Sequence, residues 1–115
     1  MQSIMSKHWV VGFTEAKGSF YLTKKDSSRI SHCFEITQKN DKIVLKGISL
    51  LLDMKVMSKS TYFTCITTTQ ASVNKVIHYF FRTIKGMKSL EYRIWSRSFR
   101  KNNSFEELVK VQKIM

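Results

Sequence analysis

A chain of 115 residues with 43% hydrophobic residues has room for one ordinary domain with a real core. Its 20 lysines and arginines against 8 acids give a formal charge of +12, which points to a polyanionic partner and speaks against an interaction module that never meets nucleic acid. No apolar run reaches the roughly eighteen residues of a membrane span, and Met1–Lys7 has neither the apolar core of a secretory signal nor the arginines of a transit peptide.

The spacing of Trp9, Val10, Val11 and Phe13 predicts a helix from about Lys7 to Lys17. Gly12 and Ala16 fall on one face of it, where another helix could approach closely. Gly18 ends the helix and turns the chain into a strand, Ser19 to Lys25. Asp26-Ser27-Ser28 is turn chemistry, so a hairpin follows, with its second strand from Arg29 to Gln38. In that strand Phe34 and Ile36 share one face, and Cys33, Glu35 and Thr37 the other. Asn40 or Asp41 caps a helix whose apolar residues are Ile43, Val44, Ile48, Leu51 and Leu52. Val56 and Met57 begin a third strand, and Tyr62 to Thr68 is its β-rich partner. Thr69 caps a helix carrying Val73, Val76, Ile77, Phe80 and Phe81. After a break at Ile84-Lys85-Gly86-Met87, the residues Leu90, Tyr92, Ile94 and Trp95 mark another helix, ending near Arg100. Asn102-Asn103 is a loop, and Ser104 with Glu107 has the spacing of a capping box for a last helix to about Ile114. The expectation is a single α+β domain over residues 1–115.

Little in the chain is spaced for catalysis. His8, His32 and His78 share no ligand spacing, and there is no Gly-rich phosphate loop, Ser/His/Asp set or Cys/His pair. Cys33 and Cys65 show no metal spacing and read as free buried thiols of a reducing compartment. The charge pattern is more informative. Ser19, Tyr21, Thr23 and Lys25 alternate with Phe20 and Leu22, so with Arg29 and Glu35 they line a binding face or are simply solvated. Arg82, Lys85, Lys88, Arg93, Arg97, Arg100, Lys101, Lys110 and Lys113 lie outside the strands. Arg93, Arg97, Arg100 and Lys101 fall on about one side of a helix beside Tyr92 and Trp95, a combination that suits RNA backbone and base stacking.

The stretch Trp9-Val10-Val11-Gly12-Phe13-Thr14-Glu15-Ala16-Lys17-Gly18-Ser19-Phe20 resembles the signature of the LAGLIDADG homing endonuclease and maturase family, W-L-A-G-F-x-D-G-E-G-S-F. Phe34–Asp41 resembles the family's second-strand signature, and Leu90–Trp95 its late aromatic helix. The resemblance implies one αββαββα unit with a four-stranded antiparallel sheet and helices on one face. Two such units would pack through motif helices bearing Trp9, Gly12, Phe13, Glu15, Ala16 and Gly18. It further implies a carboxylate at the base of each motif helix, holding a divalent metal beside the scissile phosphates.

In this chain that position is Lys17, which as an ammonium repels the cation. Glu15, two residues earlier and roughly 200° round the helix, points elsewhere and matches the family's other motif acid. The expectation is therefore no metal in this unit, with Mg²⁺ only if a partner subunit is active, and no cleavage by the chain alone. Lys17 either binds a phosphate or snorkels at the helix end. Nucleic acid is expected at Lys17, Tyr21, Lys25, Arg29, Arg82, Lys85, Lys88, Arg93, Arg97, Arg100 and Lys101, with RNA favoured over DNA. The leading reading is a degenerate unit acting as a splicing cofactor or ribonucleoprotein component. The other is a homing endonuclease whose acid comes from a partner subunit. The family's intron-encoded members imply a mitochondrial setting.

Overall fold

The computed structural model describes residues 6–39, 42–84, 86, 88–101 and 103–115. In chain order the elements are α1 (Lys7–Lys17), β1 (Gly18–Asp26), β2 (Arg29–Gln38), α2 (Lys42–Leu52), β3 (Lys55–Ser58), β4 (Phe63–Thr67), α3 (Gln70–Phe80), α4 (Lys88–Arg100) and α5 (Phe105–Ile114). The strands form one antiparallel sheet in the order β1-β2-β4-β3. The helices lie over one face and leave the other open, the α+β layering the sequence predicts. No helix is long and apolar enough to cross a membrane among the described residues.

The strand period of two sets the layers. Phe20, Leu22, Phe34, Ile36 and Cys65 point into the helix layer and are buried there. They meet Leu45, Ile48 and Leu52 of α2, Val73, Val76 and Phe80 of α3, and Tyr92 and Trp95 of α4. Phe20 is the hub, with ring centroids 4.8 Å from Phe34, 5.0 Å from Trp95 and 5.2 Å from Tyr92.

Helix starts follow local chemistry. Ser6 Oγ accepts from Trp9 N at 3.1 Å, Thr69 Oγ1 accepts from Ser72 N at 3.2 Å, and Ser104 with Glu107 completes the expected reciprocal capping box. The expected caps Asn40 and Asp41 lie outside the described residues. At its end α2 uses Asp53 in the left-handed region (φ 57°), with Met54 N donating to Ser49 O.

Several expectations change. Gly18 is extended, with φ −86°, and already belongs to β1. A glycine is required there because a Cβ would stand 2.8 Å from both the Thr14 carbonyl oxygen and its methyl group. Ile43 is 59% exposed, and Leu45 takes the core position on α2. Phe81, expected on the apolar face of α3, lies beyond its end and is half exposed, because the chain turns through Arg82 at φ 59°.

Candidate nucleic-acid interface

Three surfaces carry the residues singled out by the sequence. The first is α1. Trp9, Gly12, Phe13 and Ala16 recur at helical spacing on one stripe that is exposed except for the half-buried Phe13, while Val10 and Thr14 face the core. Trp9 stacks on Phe13 at 5.2 Å and stays 45% exposed. A Cβ at Gly12 would meet nothing within 4 Å, so that face is open to a neighbour. Lys17 sits exposed at the last position of α1, directly before β1. Glu15 lies elsewhere, its carboxylate facing Gly86 on the α3–α4 connection. The end of α1 thus presents an ammonium where a hard divalent cation needs carboxylate oxygens, so these residues do not fit such a metal. Among the described residues no three His, Cys, Asp or Glu side chains converge as a ligand set.

The second surface is the open face of the sheet. The pairings of Glu35 with Ser19 and with Ile66 put Glu35 at its middle. Tyr21 Oη donates to Glu35 Oε1 at 2.8 Å; Thr64 and Thr37 hydroxyls donate to Oε2 at 3.1 and 3.3 Å. Burial first, and then the adjoining Glu35 carboxylate, hold the Tyr21 phenol well above its ordinary value. Neither the carboxylate as a hub nor Thr64 as its partner was legible in the sequence, since the register of β2 on β4 joins residues far apart in the chain.

The cations of this face include Lys55, which the register sets across from Ile66 and so on the side of Glu35. The β1–β2 pairing is irregular between Lys24 and Asp26, yet the Lys25 charge still acts on Cys33, the cross-strand partner of Tyr21. Arg29 Nε is bound to Asp26 Oδ2 at 2.9 Å. The backbone N–H of Ser28, and then Arg29, lower the Asp26 carboxyl to about 2.

The third surface lies on the helix side. On α4, Arg93, Arg97 and Arg100 form one exposed stripe, with Lys101 just beyond the helix end and Lys88 half-buried at its start. Arg82 lies over the Phe81 ring at 5.2 Å. Lys85 lies outside the described residues. The sequence-predicted cations therefore fall into two groups that the fold does not unite.

The aromatics expected to flank the stripe are not available for stacking. Tyr92 and Trp95 are 5% and 0% exposed. Tyr92 Oη donates to Ile77 O at 2.7 Å, and Trp95 Nε1 to Tyr21 O at 3.0 Å. Their positions on α4 are rotated from the arginines toward Phe20, which is why they enter the core. The exposed aromatic near these cations is Phe81.

The remaining polar groups serve the fold. His32 is buried beneath α4, its Nε2 2.7 Å from Ser98 Oγ, and Ser98 donates onward to Trp95 O at 2.9 Å. With the hydroxyl proton so used, the imidazole supplies the N–H between them. Burial pushes His32 down to about 4. Cys33 and Cys65 are free and buried, and burial raises the Cys65 thiol to about 12, far from a reactive thiolate. His78 is exposed, with Nδ1 3.0 Å from Asn74 O.

Residues 10–99 match the family model described as LAGLIDADG endonuclease. The chain is 39% identical, over its whole length, to the probable intron-encoded endonuclease Cox1-I1b of Schizosaccharomyces pombe, and spans about a third (32%) of that relative. Its fold matches the LAGLIDADG homing endonuclease I-GzeII, solved in complex with a DNA target, with a TM-score of 0.85 and 26% identity over 97% of this chain and 44% of that one. It also matches I-LtrWI, bound to target DNA, with a TM-score of 0.87 and 22% identity over 98% and 45% of the two chains.

Proposed function

This chain belongs to the LAGLIDADG endonuclease family, and from that premise we propose that it is a non-cleaving unit that binds structured RNA through its helix-side cations. It would act as a splicing cofactor or as part of an organellar ribonucleoprotein. The observation that carries this reading is the placement of charge: Arg82, Arg93, Arg97 and Arg100 lie on the helix side, while the open face centres on a carboxylate bound by three hydroxyls. Lys17 supports it, since an ammonium at the end of α1 gives Mg²⁺ no anchor. The relative named as intron-encoded supports a mitochondrial setting. The open stripe of Trp9, Gly12, Phe13 and Ala16 fits a second unit's motif helix, in keeping with a chain that spans a third of its relative.

Crosslinking followed by sequencing of the bound nucleic acid tests this reading. Recovery of intron or ribosomal RNA supports it, and recovery of duplex DNA alone refutes it. In a nuclease assay with Mg²⁺ on a randomised duplex library the unmodified chain is expected to be inactive. Lys17→Glu is expected to raise metal affinity before any nicking appears. Specific double-strand cleavage by the chain alone refutes the reading of Lys17. A second reading, a homing endonuclease whose acid comes from the partner unit, is favoured by the DNA-bound I-GzeII structure. It predicts cleavage only when a second unit with an intact motif acid is added.

A further inference from the structure

Two depressions meet at Phe81. One, of about 540 Å³, is walled by Arg82, Ile84, Tyr92, Arg93 and Arg100 with the ring. The other, of about 270 Å³, is formed by Ile77, His78 and Arg100 with the same ring. Neither lining contains a carboxylate among the described residues. The ion pairs among the described residues are Arg29–Asp26 and Lys75–Asp53, and neither involves these three guanidiniums. Glu15, at the rim, faces Gly86.

Phe81 is half exposed, although a large apolar side chain at a helix end ordinarily finds the core. What keeps it out is the turn through Arg82, whose φ of 59° places a long side chain in the left-handed region. That strained turn carries the Arg82 guanidinium over the ring. The result is a half-exposed aromatic ring flanked by the Arg82, Arg93 and Arg100 guanidiniums, with the Glu15 carboxylate at the rim, at the size of a small-ligand pocket.

We propose that this cleft receives one unpaired nucleotide of an RNA, its base stacked on Phe81 and its flanking phosphates held by Arg93 and Arg100. The chemistry selects that occupant. An inorganic anion has no use for the ring, whereas a nucleotide joins a π-face to a phosphate diester. A paired base already has both faces covered by its neighbours, so the nucleotide must be bulged or in a loop. The inference rests on the RNA reading above and narrows it to a structural feature of the RNA.

The test uses the full chain with two RNA hairpins, one carrying a single bulged 2-aminopurine and one fully paired with the probe inside the stem. Binding is expected to change the fluorescence of the bulged probe and to leave the paired one unchanged. Phe81→Leu is expected to weaken binding of the bulged hairpin about tenfold while leaving the paired hairpin unaffected. Phe81→Trp, which keeps a stacking surface, is expected to retain tight binding and guards against a folding defect in the leucine variant. Arg93→Gln with Arg100→Gln is expected to weaken both hairpins. Equal affinities for the two hairpins, or an equal effect of Phe81→Leu on both, overturns the cleft and leaves RNA binding standing. No RNA binding by the unmodified chain overturns both. A change in self-association on Phe81→Leu, measured by sedimentation, makes the ring a protein contact and overturns the proposal.

Discussion

On the open face of the sheet the central charged group is a carboxylate, and three hydroxyls from β1, β2 and β4 hold it. On the helix side Arg82 and the arginines of α4 reach solvent, and no ion pair among the described residues joins them to a carboxylate; Glu91 of α4 instead accepts from Phe20 N at 2.6 Å. The difference teaches how the same excess of cations gives two unlike surfaces. A strand side chain on the open face meets cross-strand neighbours within about 5 Å, so polar residues there bind one another. The arginines of α4 stand on the side turned from Phe20 and reach solvent. A bound carboxylate in the middle of a face repels phosphates; an unpaired arginine stripe attracts them.

The largest expected effect breaks the tie between these regions. Trp95 packs on Phe20 and donates to the Tyr21 carbonyl, joining α4 to β1. Trp95→Ala is expected to cost about 3–5 kcal/mol by chemical denaturation. Tyr21→Phe, which removes only the hydroxyl on the open face, is expected to cost about 1 kcal/mol. Equal costs would mean that α4 is not anchored through the indole.

Acid should loosen the helix side next. His32 sits beneath α4 with its value lowered to about 4, against about 6.5 in an unfolded chain. Between those values the unfolded chain binds the extra proton, so stability is full above about pH 6.5. It is expected to fall by roughly 3 kcal/mol as pH drops toward 4. His32→Leu should flatten that limb in denaturation curves taken across the range. An unchanged limb would assign it to the carboxylates.

Gly18→Ala sharpens the comparison from the start of β1. Its Cβ would meet the Thr14 backbone at 2.8 Å. The expected cost is about 1–3 kcal/mol, read as a lowered melting temperature. Gly12→Ala, where the Cβ enters open space, is expected to stay within about 0.5 kcal/mol.

Salt dependence separates the two surfaces as binders. Replacing Arg93, Arg97 and Arg100 by Gln is expected to reduce the slope of log K against log salt by roughly 2–3, at about 0.7–0.9 per phosphate contact. Lys25→Gln with Lys55→Gln on the strands should leave it nearly unchanged, and the reverse result would move binding to the sheet. Glu35→Gln is expected to change stability by less than about 1 kcal/mol while lowering the Tyr21 phenol part of the way toward its ordinary range in a spectroscopic titration, since burial continues to raise it.

Much of this fold is written in local chemistry. The caps at Thr69 and Ser104, the hairpin at Asp26-Ser27-Ser28, and the alternation of Phe34 and Ile36 depend on residues within a few positions of one another. The sequence by itself therefore determined them, along with the placement of Lys17 at the end of a helix that ends at a glycine. Tertiary structure alone decided the rest. Trp95 and Tyr92 belong to the core because the docking of α4 on Phe20 chooses which side of that helix is covered, and Phe81 to the surface because the chain turns through Arg82 beyond α3; composition carries neither choice. Glu35 became a bound hub because the β2–β4 register brought Thr64 beside it, 29 residues away in the chain. Gly18 had to be glycine because a strand folded back onto the last turn of α1, a close approach that exists only once the two elements have met.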